Sequence, residues 1–415
     1  MQIEVKKINQ RTTLLFLLPV LTVPTVSVIG ELMFSDIAVA ILAPLMLLNR
    51  NLKFDQPYLN KIMLFLGFWL IGVIISDTMN GTSIDNFLRG IAAVILFGLH
   101  LFVFFVLIDG QRDRYIPAIF GSAVAVLLQW ATDSSELWSQ SLTDTPWKMG
   151  GGFAVTVFFL ISIGFLVKSE RVKGKALLLL SPIDLYLNAR SLFLITALAG
   201  IVSAFQLKVK SEKNRKILLM GALASVVVAF PIATSIYGNL NEAGVFGKEA
   251  QEKYLKQTAG GEINIIIAGR SESLVSFNAI YDSPLYGHGS WAESMQYYYM
   301  YLAHLEAIGK EVNWGAVAAQ ERFLIPSHSM LLGTWVYHGI FGAFFWLYII
   351  YLTLKAIGLS IGTVESKQLT SLELLVLFTL FWDIFFSPFG QARRCVEAVY
   401  IVVACVILAD ATRKK

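Results

Sequence analysis

Residues 88–108 read LRGIAAVILFGLHLFVFFVLI, and this stretch decides the fold class. Arg89 is its only charged residue, and an apolar helix of this length can cross the ~30 Å hydrocarbon layer of a bilayer. Comparable apolar runs recur along a chain of 415 residues that is 56% hydrophobic and only 15% charged. The composition therefore predicts one polytopic helical bundle rather than several soluble domains.

The apolar runs define twelve predicted spans, which make the chain an all-α polytopic membrane protein. They cover residues 13–30, 32–48, 62–76, 88–108, 115–131, 152–167, 176–188, 191–207, 217–235, 328–354, 369–387 and 395–410. Residues 1–236 hold the first nine spans, and residues 328–415 hold the last three. Between them, residues 237–327 form a large polar loop that we predict to be partly helical and to cap the bundle.

The segment that contains spans seven and eight is open to two interpretations. Ser181-Pro182 and Asn188-Ala189-Arg190-Ser191 interrupt its apolar sequence. These residues suit either a tight turn between two short helices or a broken, re-entrant pair, which needs protein or a water-filled cavity around it. Both alternatives put Arg190 at the mouth of the bundle.

The basic residues predict how the chain is oriented in the membrane. Short cytoplasmic loops are rich in Lys and Arg, and here these residues follow every even-numbered span. They are Arg50, Lys53, Lys61, Arg112, Arg114, Lys168, Arg171, Lys173, Lys175, Lys208, Lys210, Lys213, Arg215, Lys216, Lys355, Lys367, Arg413, Lys414 and Lys415. We therefore predict cytoplasmic termini and a periplasmic loop in the inner membrane of a bacterium. The same pattern accounts for the net charge of +4, so nucleic acid is not an expected partner.

The residues from Gly269 to His338 form a polar island in this apolar chain. They include four of the five histidines: His288, His304, His328 and His338. Ionisable residues are costly in a membrane and are usually functional, so we expect the chemistry here. His328 follows Ser327 at the start of span ten, where its imidazole could accept a proton from a hydroxyl group. Alternatively, His328 only hydrogen-bonds the helix start. His338, about 15 Å further along the same helix, is interpreted as a satisfied interior residue.

Six arginines are predicted on the outer face, where the positive-inside rule disfavours them. They are Arg89, Arg190, Arg270, Arg322, Arg393 and Arg394. A guanidinium group presents planar donors that match phosphate oxygens, so a convergent set could hold a pyrophosphate. The alternative is that they pair with lipid phosphates or with loop carboxylates. No regular set of metal ligands is present, and Cys395 and Cys405 are too far apart on one predicted helix to form a disulfide.

Five short motifs, in their order along the chain, resemble the bacterial O-antigen ligase and O-antigen polymerase superfamily. They are Asn188-Ala189-Arg190-Ser191, Gly269-Arg270, Ser283-Pro284-Leu285-Tyr286-Gly287-His288-Gly289, His328-Ser329 and Gly339-Ile340-Phe341-Gly342. The resemblance implies a GT-C-like fold and a membrane glycosyltransferase that takes a glycan from undecaprenyl pyrophosphate without a metal or other cofactor. It also implies that Arg190 and Arg270 bind the donor pyrophosphate and that His328 is the catalytic base.

Further contacts with phosphate or glycan are predicted for five residues: Arg89, Arg322, Arg393, Arg394 and His288. The chain departs from the common family pattern at two positions. Ala189 stands before the first arginine, where Ser is common, and Ser329 stands after the histidine, where Asn is common. These departures bear on the details of the site rather than on the class of protein.

The expected partners are the undecaprenyl-pyrophosphate-linked glycan donor, an acceptor glycolipid or glycan, and membrane lipids. One large outer loop favours the ligase of lipopolysaccharide assembly, and polymerisation of O-antigen or exopolysaccharide repeat units is an alternative. A transporter of an anionic lipid-linked glycan is a third candidate, which would be expected to have inverted repeats and a broken helix in each half. The sequence contains one such interruption, which favours the enzyme.

The predicted orientation can be tested with single cysteines and a membrane-impermeant thiol reagent. In intact spheroplasts, a cysteine replacing Gln251 should react, because residues 237–327 are predicted to be periplasmic. A cysteine replacing Ser211 should be protected until the membrane is opened. The reverse pattern of labelling would show that the orientation is wrong.

Overall fold

The computed structural model describes residues 9–28, 30–48, 58–132, 146–204, 243–244, 251, 271–307, 312–360 and 370–413. This part of the chain is almost entirely helical and contains long apolar helices, as predicted for an all-α membrane protein. The predicted span at residues 217–235 and the predicted phosphate ligand Arg270 lie outside the described residues.

The described helices follow the predicted order. They are α1 (Gln10–Val20), α2 (Phe34–Leu48), α3 (Leu59–Met79), α4 (Ile84–Ile108), α5 (Tyr115–Thr132), α6 (Gly152–Leu166), α7 (Glu170–Tyr186), α8 (Arg190–Ala204), α9 (Ser271–Asp282), α10 (Met295–Ala307), α11 (Trp314–Ala318), α12 (Met330–Ser360), α13 (Thr370–Phe386) and α14 (Gln391–Arg413). We call α9, α10 and the residues 283–294 between them the lid.

Six helical segments of the described chain are long and apolar enough to cross a membrane. They are Leu59–Met79, Ile84–Ile108, Arg112–Thr132, Trp147–Leu166, Met330–Ser360 and Ala392–Arg413. Helices α2 and α8 are also apolar but are shorter. The structure therefore supports a membrane-embedded bundle, while twelve complete crossings stay a prediction.

The first predicted span, residues 13–30, is wrong over its second half because α1 ends at Val20. Thr25–Ser27 and Glu31–Met33 instead pair as an antiparallel hairpin of two strands, β1 and β2. Gly30 lies in the turn with a φ of 148°, and the β-branched Thr and Val residues of this segment favour extended backbone.

Polar contacts identify two opposite ends of the bundle. The start of α14 is joined to α2 by an ion pair in which Arg394 Nη2 lies 2.6 Å from Asp36 Oδ2. The end of α14 is joined to the α4–α5 connection by Arg112 Nε, which lies 3.2 Å from Asp410 Oδ2. We call the end with Arg394 the lid end and the other the far end.

Helix α12 is broken at Gly339, whose φ of 65° and ψ of −162° are not helical. Across the break, Trp346 Nε1 donates to Thr334 Oγ1 at 3.0 Å, although twelve residues of straight helix would separate them by ~18 Å. The two segments of α12 therefore fold back against each other. The prediction of one continuous span over residues 328–354 is consequently wrong, whereas the separation of about 15 Å between His328 and His338, which both precede the break, stays a prediction.

A buried aromatic cluster holds α3, α4, α12 and the residues before α14 together. The Trp69 ring lies 5.4 Å from Phe345 and 5.3 Å from Phe389, and Phe97 lies 5.1 Å from Phe389. Tilted and edge-to-face rings at these distances add to the gain from burying apolar area. The cluster lies directly beneath the break in α12.

Helices α7 and α8 form a close antiparallel hairpin with a tight turn, and whether the pair crosses the membrane or is re-entrant stays open. Asn188 takes a left-handed φ of 60° in the turn, and Ala189 N–H donates to Asp184 O at 2.8 Å. The backbones approach so closely that a Cβ on Gly174 would lie only 2.3 Å from the Ala204 nitrogen.

Gly174→Ala should therefore lower the stability of the protein by about 1–3 kcal/mol, since the added methyl group meets backbone that cannot move aside. Gly67→Ala in α3 is the matched control, because a Cβ there would meet nothing within 4 Å and alanine favours a helix. Thermal unfolding in detergent gives the melting temperature of each variant. Equal melting temperatures for the two variants would contradict the close packing of α7 on α8.

Candidate functional site

The lid is attached to the bundle at the break in α12. His288 N–H donates to Val336 O at 2.8 Å, and Gly289 N–H donates to Tyr337 O at 3.0 Å. These carbonyls end the first segment of α12, so they lack helical partners. Gly287 has a φ of 74°, and a Cβ there would lie 2.7 Å from the carbonyl oxygen of Tyr337. Only glycine allows the lid to approach this closely.

A buried chain of four side chains links the lid to two helices. Trp69 Nε1 of α3 donates to His338 Nδ1 at 3.0 Å, and His338 Nε2 lies 3.1 Å from Ser290 Oγ. Ser290 Oγ then donates to Asp77 Oδ2 at 2.8 Å, and Ser290 N–H donates to Asp77 Oδ1 at 2.5 Å. We call these four residues the Asp77–Trp69 network.

The network has one consistent direction of hydrogen bonding. Because His338 Nδ1 accepts from Trp69, its Nε2 carries the proton and donates to Ser290, which frees the serine hydroxyl to donate to Asp77. All of these groups are satisfied, which confirms His338 as an interior histidine with both ring nitrogens bonded. Gly90 of α4 makes room for the serine, since a Cβ there would lie 2.1 Å from Ser290 Oγ.

The predicted base, His328, lies in an extended segment between the lid and the bundle. On the lid side of this segment, Ile325 N–H donates to Ala292 O at 3.0 Å, and Ser276 Oγ donates to Pro326 O at 3.3 Å. On the bundle side, Ser329 Oγ donates to the Ile384 carbonyl at 3.0 Å. The His328 side chain is exposed, so its imidazole is open to solvent while the backbone around it is bonded to both lid and bundle.

Ser329, and not His328, caps the first turn of α12. Its Oγ accepts from Leu332 N–H at 3.1 Å, three residues on, which is the geometry of a serine N-cap. Both interpretations of His328, as a base and as a hydrogen bonder of the helix start, stay predictions.

Arg190 and Arg89 both lie at the lid end. The start of α7 is at the far end, where Glu170 accepts from the Ser371 backbone N–H at 2.8 Å, so the α7–α8 turn that precedes Arg190 is at the opposite, lid end. Arg89 directly precedes Gly90, which contacts Ser290 of the lid. Both arginines are half-buried.

Three other arginines that were predicted to contact phosphate or glycan are paired with carboxylates. Arg322 Nε lies 2.7 Å from Glu293 Oε1, Arg393 Nη1 lies 2.9 Å from Asp383 Oδ1, and the Arg394–Asp36 pair is buried. The Arg322 pair matches the alternative in which outer arginines pair with loop carboxylates, whereas Arg393 and Arg394 pair with carboxylates of helices α13 and α2. Contact of these arginines with phosphate or glycan stays a prediction.

His288 has a structural position within the lid. Its Nε2 lies 2.8 Å from the Ala279 carbonyl of α9, and its ring contacts that of Tyr297 edge-on at 5.5 Å. Tyr297 in turn donates to Asp282 at 2.5 Å. Burial, reinforced by this carboxylate, raises the pKa of Tyr297 well above its usual range, so the phenol stays a donor.

Asp77, Ser290 and Trp69 were not among the predicted site residues. Asp77 follows an apolar span and resembles an ordinary loop carboxylate, and Trp69 resembles an ordinary apolar residue of a span. One usable sign was the pair of glycines around His288, since such a sequence indicates close backbone contact. It does not indicate which helix is contacted, because Asp77 and Ser290 are 213 residues apart.

The fold and the site together define an all-α membrane protein with a polar lid packed on a broken helix. Comparisons with protein-family models, with curated proteins and with solved structures find no match. Within the described residues, no group of three or more His, Cys, Asp and Glu side chains is arranged to hold a metal ion. Independence from metal stays a prediction.

Ser290→Ala should loosen the lid, because it removes the hydroxyl that binds Asp77 Oδ2 and His338 Nε2 and leaves these two buried atoms unpaired, at a cost of about 1–3 kcal/mol. Amide hydrogen exchange should then accelerate in residues 283–294. Ser273→Ala, which changes a half-buried serine of α9, is the control. Unchanged exchange in the Ser290 variant would mean that the Asp77–Trp69 network does not hold the lid.

Proposed function

We propose that this protein is an inner-membrane glycosyltransferase of the O-antigen ligase type. In this proposal it moves a glycan from undecaprenyl pyrophosphate to an acceptor hydroxyl at a GT-C-like, periplasmic active site. The observation that supports the proposal best is the position of His328, which is fixed in the backbone between lid and bundle while the adjacent Ser329 caps the helix. An exposed imidazole on a backbone held in this way can reach an acceptor hydroxyl and is suited to general-base catalysis.

The proposed reaction is a single displacement at the anomeric carbon. His328 takes the proton from the acceptor hydroxyl as the oxygen attacks, a new glycosidic bond forms, and the bond from the sugar to the pyrophosphate oxygen breaks. The electron pair leaves with the undecaprenyl pyrophosphate. Negative charge grows on that leaving group, so its stabilisation by nearby cations is the main electrostatic contribution.

Arg190 and Arg270 are the proposed ligands of the pyrophosphate. Arg190 begins α8 at the lid end, and Arg270 directly precedes Ser271, the first residue of α9. Both assignments come from the resemblance to O-antigen ligases. A guanidinium group suits this role because it offers parallel donors to two phosphate oxygens at once.

Ser329 departs from the family pattern, which commonly has Asn after the histidine, but the two side chains can perform the same role. Asn and Ser are both favoured N-cap residues, so the residue after the histidine can cap α12 with either side chain. Ser329 fills that role here by accepting from Leu332 N–H. This observation supports the match at His328-Ser329, whereas the structure offers no comparable account of Ala189.

The acceptor separates the two enzymatic alternatives. A ligase transfers the glycan to a glycolipid such as the lipid A core, and a polymerase transfers it to a second repeat unit of O-antigen or exopolysaccharide. We favour the ligase because the chain has one large predicted outer loop. Incubation of one donor with each acceptor in turn distinguishes the two.

A transporter of an anionic lipid-linked glycan is favoured by one observation, the break of α12 at Gly339. Discontinuous helices with backbone groups freed for ligands are common in secondary transporters. In this protein, however, the freed carbonyls of Val336 and Tyr337 already accept from His288 and Gly289. The enzyme therefore remains the preferred proposal.

His328→Ala should lower the rate of transfer by about 10²–10⁴-fold, the usual contribution of a positioned acid or base. Donor affinity should change little, since the arginines still bind the pyrophosphate. Purified protein, lipid-linked donor and acceptor are incubated together, and release of undecaprenyl pyrophosphate is measured alongside donor binding. The dependence of the rate on pH should also lose its lower inflection in the variant.

His304→Ala is the matched control, because His304 belongs to α10 of the same lid and has no proposed catalytic role. Unchanged transfer by the His328 variant would exclude it as the base. Loss of donor binding in parallel with loss of transfer would make His328 a ligand contact and favour the transporter.

A further inference from the structure

Helix α9 of the lid has an exposed apolar face that the proposed reaction does not use. Leu274, Phe277 and Tyr281 are 37%, 58% and 84% exposed, and Leu285 and Tyr286 just beyond the helix are 54% and 46% exposed. Spacings of three and four residues put the helical members on one side of α9. The face is too apolar to be left in water without a reason.

The other sides of α9 are occupied. Val275 and Ala279 are fully buried in a small hydrophobic cluster of their own. The carboxylates of the helix are turned towards α10, where Tyr301 donates to Glu272 at 3.1 Å and Tyr297 donates to Asp282. The charged groups of α9 are thus bonded to α10 and its apolar groups are exposed.

The end of α9 is held at the level where α3 ends. Gly289 N–H, a few residues after α9, donates to Ser76 Oγ at 3.0 Å, and Asp77 binds the backbone of Ser290. Helix α3 has 21 residues, which at 1.5 Å each is about the thickness of the hydrocarbon layer. Its last residue, Met79, is 66% exposed. The end of α9 therefore lies at the boundary between hydrocarbon and headgroups.

The end of the apolar face meets the bundle at α12. The Leu285 carbonyl lies against Gly339, where the second segment of α12 begins. That segment presents Phe344 and Leu347, which are 42% and 41% exposed and belong to a helix apolar enough to span the membrane. Exposed apolar side chains thus occur on both the lid and the part of the bundle that it contacts.

We propose that α9 lies in the outer boundary of the bilayer, with Leu274, Phe277, Tyr281 and Leu285 in contact with lipid. The lid is then held by the membrane on one face and by the break in α12 on the other. Lipid is the proposed occupant because the face meets α12, a helix apolar enough to span the membrane, and because aromatic side chains such as Tyr281 favour this boundary.

The test uses single cysteines labelled with an environment-sensitive fluorophore in protein reconstituted into nanodiscs. Cysteine replaces Phe277, Tyr281 or, as the matched control, Asn278, an exposed polar position on the same helix. The two natural cysteines are buried and are replaced by alanine. Lipids that carry a nitroxide on the acyl chain and a water-soluble nickel chelate are the two quenchers.

Labels at positions 277 and 281 should be quenched several-fold more by the nitroxide lipid than the label at 278, and less by the nickel chelate. Equal quenching of all three labels by the chelate would show that the face is in water. Protection of 277 and 281 from both quenchers would show that protein covers it, either another part of this chain or a second copy. Both results would overturn the proposal, and neither bears on transfer by His328.

Discussion

The need to satisfy backbone carbonyls within an apolar bundle dictates how the lid is attached. A helix that breaks at Gly339 exposes the carbonyls of its last turn, and each would cost several kcal/mol if left without a donor in hydrocarbon. Donors come from His288 and Gly289 of the lid and from Ser76, whose hydroxyl lies 2.6 Å from Tyr337 O. The broken helix and the lid therefore require each other.

The polar side chains beside the break also determine how the lid packs on the bundle. In the Asp77–Trp69 network each donor has one acceptor, so only one arrangement of protons satisfies every group. Buried networks of this kind stabilise a structure modestly but disfavour alternatives strongly, since any other packing leaves a polar group unpaired. The same reasoning applies to the buried pair of Arg394 and Asp36, which fixes α14 against α2.

Apolar runs were sufficient to predict the helical class and most helix positions, because crossing a bilayer imposes length and composition directly. The run that includes Val20 to Val28 was misassigned, since hydropathy does not distinguish β-branched strand residues from helix. Gly339 gave no clear sign of a break, because glycine is also common in intact membrane helices. The partners of Asp77 and Arg394 depend on contacts between distant segments, which a single sequence does not contain.

The extended segment before α12 has a mechanical consequence. Its backbone is bonded to the lid through Ala292 and Ser276 and continues without a linker into the first segment of α12, which is bonded to the same lid through His288. The next residue, Ser329, is bonded to the Ile384 carbonyl of the bundle, so the backbone of His328 lies between two anchored points. A displacement of the lid relative to the bundle would therefore strain the backbone on either side of this histidine.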